Sequence, residues 1–230
     1  MLRSIATRAA WKGATFDVVH VSDRGRDTLA PFLPSVLRQH RIDNPVEGDR
    51  GEPARIGPAS SLAYIGRLTR EKGADLAAAA AREAGLPILF VGEGPAAAEI
   101  RRVNADARML GWQGREDVRR LLRDEVRAVV APSRWYETGP LTVYEAMAAG
   151  VPPVASSRSG AAEKVSHGLT GLVAEPDVPS LAAAFRQLRD SDLAARLGRA
   201  AFARYWQDPP TPAAHARQLI ALYESRLARS

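Results

Sequence analysis

The 230-residue chain contains no cysteine. That removes disulfides, thiolate nucleophiles and thiolate metal sites, and it fits a reducing compartment without demanding one. No apolar run approaches the ~18 residues of a membrane span, and the N-terminus lacks the apolar stretch of a signal peptide. Lysine is scarce: Lys12, Lys72 and Lys164 stand against a large arginine excess, so a lysine at a motif position is not background composition. The four histidines (His20, His40, His167 and His215) are widely separated without ligand spacing, and no metal is expected on them.

What is present suits a globular α/β protein. Apolar residues make up 46% of the chain, enough to bury the core of one good domain with appendages. The formal net charge is +6, from arginines such as Arg55, Arg82, Arg101, Arg102, Arg119, Arg120, Arg186, Arg196, Arg199 and Arg204. They are scattered, mostly on predicted helices, with no long single-sign block and no aromatic ladder between them. A solvated arginine surface is the first reading and attraction to an anionic membrane face the second; nucleic acid is not expected. The expected location is cytoplasmic, with the membrane face as its variant.

From Ser61 onward the pattern alternates between strand and helix. Strands are predicted over Ser61–Ile65, Pro87–Val91, Ala107–Leu110, Arg127–Ala131 and Val151–Ala155. Helices are predicted over Ala74–Ala84, Ala96–Val103, Arg115–Leu122 and Thr142–Ala149, with a helical tail near Ser180–Leu188, Ser191–Tyr205 and Pro212–Leu227. Such alternation implies a doubly wound parallel sheet, a Rossmann-like α/β fold. Residues 44–60, rich in Gly, Pro and charge, read as linker. Ahead of it, Met1–Ala14 and Thr28–Arg38 are predicted helices, and Phe16–His20 a strand.

Two constellations carry chemistry. Glu137 and Glu145 stand eight positions apart, one before and one inside a short helix. Pro140 fits the first position of that helix and Gly150 the residue past its end. A Gly-Pro turn opening a helix presents backbone N–H groups and the positive end of a dipole to an anion. The second constellation is the loop Gly66-Arg67-Leu-Thr-Arg-Glu-Lys72-Gly73, which places two cations between a strand and a helix start. Arginine offers a planar fork and lysine a point charge, a pairing suited to pyrophosphate. Taken singly, either pair is more often solvated loop charge; their common position at strand ends raises both. Asp190-Ser191-Asp192 matches a metal-binding Asp-x-Asp, but between two helices it reads as a cap. Trp135 and Tyr136 beside Glu137 fit a pocket wall and core packing equally well.

The combined pattern resembles the C-terminal domain of GT-B fold retaining glycosyltransferases of the glycosyltransferase family 4 type, over roughly Asn44 to Tyr223. It rests on Gly66-Arg67 with Lys72-Gly73, on Val91-Gly92-Glu93-Gly94-Pro95, and on Glu137 to Glu145 running into Ala146-Met147-Ala148-Ala149-Gly150-Val151-Pro152. Ala162-Glu163 and His167-Gly168-Leu-Thr-Gly171-Leu172-Val173 extend it. His167, Ser159 and Pro153 depart from the family pattern in connecting turns and leave the charged positions intact.

The resemblance implies transfer of a sugar from a nucleoside diphosphate sugar to a hydroxyl acceptor, without a cofactor, since the nucleotide sugar is the substrate. Arg67, Lys72 and the helix start at Gly139, Pro140, Leu141 and Thr142, with Gly66, would hold the diphosphate. Glu137 would orient the sugar, Glu145 the ribose, and the backbone at Leu110 and Gly111 would face the base. It also implies a division into an N-terminal acceptor-domain remnant (1–43), the linker (44–60), a nucleotide-sugar domain (61–210) and a C-terminal helix (211–230). The short first segment makes a partner chain supplying the acceptor side an expected partner. A non-catalytic module binding the same ligand is the alternative. A related phosphorylase is disfavoured, since no lysine has a recognisable pyridoxal phosphate context.

Overall fold

The computed structural model describes residues 16–35, 37–48, 50–137 and 141–228. The chain forms two compact units, Met1–Pro45 with Pro210–Ser230, and Val46–Pro209. In the smaller unit β1 (Asp17–His20) is followed by α1 (Asp23–Leu29), a 3-10 turn (Ala30–Phe32) and β2 (Arg38–Arg41). The helix expected over Thr28–Arg38 does not form. Ser22 caps α1 earlier, its hydroxyl accepting from Gly25 N at 3.0 Å, and Pro31 and Pro34 prevent continuation. Arg38–Arg41 instead pairs in parallel with β1, Asp17 opposite Arg38. Its sequence, Arg-Gln-His-Arg, carries no apolar alternation that would mark a strand. The predicted helix Met1–Ala14 lies outside the described residues.

The larger unit continues with β3 (Ser61–Ile65), α2 (Ala74–Ala84), β4 (Ile88–Val91), α3 (Ala97–Val103), β5 (Arg108–Gly111), α4 (Arg115–Asp124) and β6 (Val126–Ala131). Then come α5 (Leu141–Ala149), β7 (Pro153–Ser156), β8 (Leu172–Ala174), α6 (Val178–Gln187) and α7 (Ser191–Tyr205). Helix α8 (Pro212–Leu227) returns to the smaller unit, where Arg226 pairs with Asp17 at 3.2 Å. The six strands of the larger unit are all parallel, in the order β5-β4-β3-β6-β7-β8. This is the expected Rossmann-like α/β architecture.

Helices cover both faces of this sheet, so strand residues of both parities are buried; all six positions of β6 are. On one face Leu62, Tyr64, Phe90, Val130 and Val154 pack with the alanine-rich α2, whose small side chains admit α6 closely. Asp177 and Asp190 cap α6 and α7, accepting from Ser180 N at 2.8 Å and Leu193 N at 3.1 Å. One buried residue breaks the apolar pattern. Arg127, 2% exposed, donates to the carbonyls of Gly57, Pro58, Ser60, Leu188 and Arg189 at 2.6–3.1 Å. It ties the end of the linker to the carbonyl end of α6, where a cation is favoured.

Candidate functional site

The strand order reverses at β3: β4 and β5 lie on one side, β6 to β8 on the other. In open parallel sheets the carboxyl ends of strands flanking such a switch bound a crevice that loops cannot fill. The loops concerned are 66–73 after β3 and the segment that begins at 132 after β6 and is described to Glu137, which carry the two constellations read from the sequence.

Loop 66–73 is held by its backbone. Gly66 N donates to Val91 O at 2.9 Å, Leu68 N to Glu93 O at 2.9 Å, and the Tyr64 hydroxyl to Arg67 O at 2.8 Å. A Cβ on Gly92 would meet Gly66 O at 2.1 Å, so the glycine there permits the close approach. Gly73 has φ of 74°, and a Cβ on it would lie 2.2 Å from Pro132 O. Glycine at that point is required both by conformation and by the second loop. That loop is fixed in return: Arg134 N donates to Glu71 O at 3.0 Å and Ser133 Oγ to the same carbonyl at 3.3 Å.

The result is a cavity of about 230 Å³ whose lining includes Tyr64, Gly66, Arg67, Lys72, Ser133, Glu137, Leu141 and Thr142. Lys72 Nζ pairs with Glu137 across it, bringing together residues 65 positions apart. The exposed Arg67 guanidinium makes no hydrogen bond or salt bridge to a described residue. Burial keeps the Tyr64 phenol neutral, and the charges of Glu137 and Asp75 add to that effect.

A second cavity of about 350 Å³ shares Ile65 with the first. It lies between α4 and α5 beside linker residues from Val46 to Glu52, and Glu145 lines it with Arg115, Arg119, Leu122 and Ala148. The half-buried Glu145 carboxylate makes no hydrogen bond to a described residue. Burial pushes its pKa up, against the opposing charges of Arg115 and Arg119.

Among the predicted site residues, Gly66, Arg67, Lys72, Glu137, Leu141 and Thr142 thus line the first cavity and Glu145 the second. Gly139 and Pro140 lie outside the described residues. Leu110 and Gly111 line neither cavity: their carbonyls accept from Gln113 Nε2 at 2.8 Å and Gly92 N at 2.7 Å. Gly111 backs the 66–68 turn through Gly92. Tyr64 escaped the sequence reading because an inward tyrosine in a strand looks like ordinary core. The described residues hold no cluster of three or more His, Cys, Asp or Glu side chains able to take a metal. They include no helix long and apolar enough to cross a membrane.

Residues 49–204, which carry the first cavity and most of the second, match the family of glycosyl transferases group 1. The chain belongs to this family. Among its curated relatives, the glycogen synthase of Mycobacterium tuberculosis is 39% identical over 167 residues, covering 67% of this chain and 40% of the relative. A GDP-mannose-dependent alpha-mannosyltransferase of Corynebacterium glutamicum is 27% identical over 165 residues, covering 64% of this chain and 40% of that one. This group 1 chain therefore spans 40% of the length of these relatives. Among solved structures, the sucrose-phosphate synthase from Thermosynechococcus elongatus superimposes with a TM-score of 0.82 at 24% identity, covering 100% of this chain and 62% of that one. The likeness of fold extends beyond the larger unit.

Proposed function

We propose that this group 1 glycosyltransferase takes a nucleoside diphosphate sugar across its two adjoining cavities and transfers the sugar, with retention at the anomeric carbon, to a hydroxyl acceptor. The observation that carries the reading is the meeting of Lys72, Arg67 and Glu137 at the switch point of the sheet. Arg67 is free to fork onto a diphosphate and Lys72 to place its charge beside it, stabilising the negative charge that develops on the leaving group. Glu137 accepts hydrogen bonds from sugar hydroxyls, and its contact with Lys72 keeps the sugar next to the diphosphate. Glu145, without a protein hydrogen-bond partner, accepts from the ribose in the second cavity. Retention is what the resemblance of the Glu137-to-Glu145 segment to retaining enzymes of family 4 implies. The relatives' printed dependence on a nucleotide sugar agrees with this substrate class.

We further propose that residues 46–209 form the donor half of the reaction, and that acceptor binding draws on polypeptide beyond this chain. The chain's 40% share of its relatives' length supports that view. Contact of the arginine-rich surface with an anionic membrane face is the second reading of the +6 charge, after a solvated surface. Calorimetry with UDP, GDP and ADP and with their glucose and mannose esters tests the core reading. Salt-sensitive binding of one diphosphate is expected; no binding of any at millimolar concentration ends it. The second reading, a non-catalytic nucleotide-sugar module, predicts the same binding with neither hydrolysis nor transfer even when an acceptor domain is supplied.

A further inference from the structure

The Asp75 and Arg134 side chains line neither cavity, yet they join the two loops. Asp75, in the first turn of α2, is 8% exposed. It receives both terminal nitrogens of Arg134, at 2.6 Å each. The same guanidinium reaches Arg70 O at 2.5 Å, and the Arg134 backbone N–H reaches Glu71 O. Burial of Asp75 works against its ionisation, but the hydrogen bond and charge of Arg134, with nearby backbone N–H groups, outweigh it and hold the carboxyl below its usual range. This parallel two-bond fork restrains orientation as well as distance.

We propose that the Arg134–Asp75 pair is a positioning clamp that sets Glu137 against Lys72, and so governs how tightly the site holds the sugar, not the nucleotide. Resting on the donor-site reading above, it assigns work to two residues that touch no ligand. Arg134 is three residues from Glu137, and the far side of the segment is pinned where Gly160 N donates to Glu137 O at 2.7 Å. The Glu137 backbone is therefore held at two points, one of which is the clamp. Arg134 and Lys72 lie on opposite loops, and Asp75 is three residues beyond Lys72. The fork thus ties the base of one loop to the base of the other while leaving the free face of Arg67 unconstrained. The helix dipole and the backbone N–H groups of Asp75 and Leu76 add to the arginine in holding the carboxylate at the start of α2.

The test uses the full chain and the variants Arg134→Gln, Arg134→Lys and Asp75→Asn. Titrations use UDP-glucose, GDP-mannose and ADP-glucose beside the matching diphosphates, with hydrogen exchange on the free proteins. For whichever donor the unaltered chain binds, Arg134→Gln and Asp75→Asn should weaken the nucleotide sugar by about tenfold or more while moving the diphosphate less than about twofold. Arg134→Lys should recover part of the loss. Exchange should accelerate within 133–137 and at Gly160 but not in β3 or β6. Equal weakening of sugar and diphosphate, unchanged binding of both, or uniformly faster exchange would overturn the proposal. An unaltered chain that binds none of these ligands removes the donor-site reading and the sugar role with it. Exchange within 133–137 then still decides whether the pair holds the loop.

Discussion

Lys72, Arg67 and Glu145 differ in what the fold leaves for them to do. Lys72 has a carboxylate partner in the free protein, whereas Arg67 makes no hydrogen bond or salt bridge to a described residue. Replacing Arg67 or Lys72 by Ala should weaken diphosphate binding by about 1.5–3 kcal/mol each, the range of charge-assisted hydrogen bonds, as measured by calorimetry. Glu145 presents a sign that runs the other way from most carboxylates. Its folded-state pKa is raised by burial, so the folded protein favours the protonated form. The associated stability is fully present below the ordinary glutamate range and is lost as pH rises through the raised value. Glu145→Gln should therefore raise Tm at about pH 7 and leave it nearly unchanged at about pH 4. The same substitution should weaken the free diphosphate, while Glu137→Gln weakens the nucleotide sugar and spares the diphosphate. A lower Tm for Glu145→Gln at neutral pH would contradict the burial argument, and equal losses for both ligands in both variants would contradict the division of roles.

At the level of elements, one contact decides whether the crevice exists. The loops after β3 and β6 touch where Gly73 meets Pro132. Gly73→Ala combines a left-handed conformation, unfavourable for alanine by about 1–2 kcal/mol, with a backbone clash. We expect at least about 2 kcal/mol of lost stability in denaturant titration, together with weaker diphosphate binding, because the loops must part. Arg127→Met is the contrasting case. It removes the donor to five carbonyls without touching either cavity. Left buried without a partner, these groups should cost about 3 kcal/mol or more, with diphosphate affinity of the folded fraction unchanged. Affinity lost in proportion to stability would show that the linker anchor reaches the site.

For the whole molecule, Val46–Pro209 forms its own compact unit and contains both cavities. A fragment of those residues should unfold in one cooperative transition by circular dichroism and bind the diphosphate within about threefold of the full chain, since two-state folding is usual for single domains near this size. The net charge of +6 does not imply a polyanion partner. Surface arginines pair locally, Arg119 with Glu116, Arg120 with Asp117 and Arg186 with Glu83, and such exposed pairs add little to stability. Transfer to an acceptor is the property that should depend on more than this unit, because positioning of the attacking hydroxyl can supply ~7–11 kcal/mol of a barrier. The chain alone should bind the donor yet transfer slowly, and adding an acceptor domain should restore the rate. Rapid transfer by the purified chain would refute the need for it.

Short-range chemistry was legible in the residues themselves. Short apolar runs between helical segments located five of the six strands from β3 onward, all but β8, and the Asp190 cap was readable because capping depends on residues a few positions apart. The two loops were also legible as clusters of charge at strand ends. The smaller unit resisted, since β2 is a polar strand defined by its neighbour and Pro31 and Pro34 override the helical pattern around them. What only the tertiary structure decided is which distant groups meet. Parallel pairing of β3 with β6 brings Lys72 to Glu137, Arg134 to Asp75, and Gly73 under Pro132. It also leaves Glu145 lining a separate cavity. These contacts span about sixty residues, and no local propensity encodes them; strand order and the close packing of loops at the switch point do.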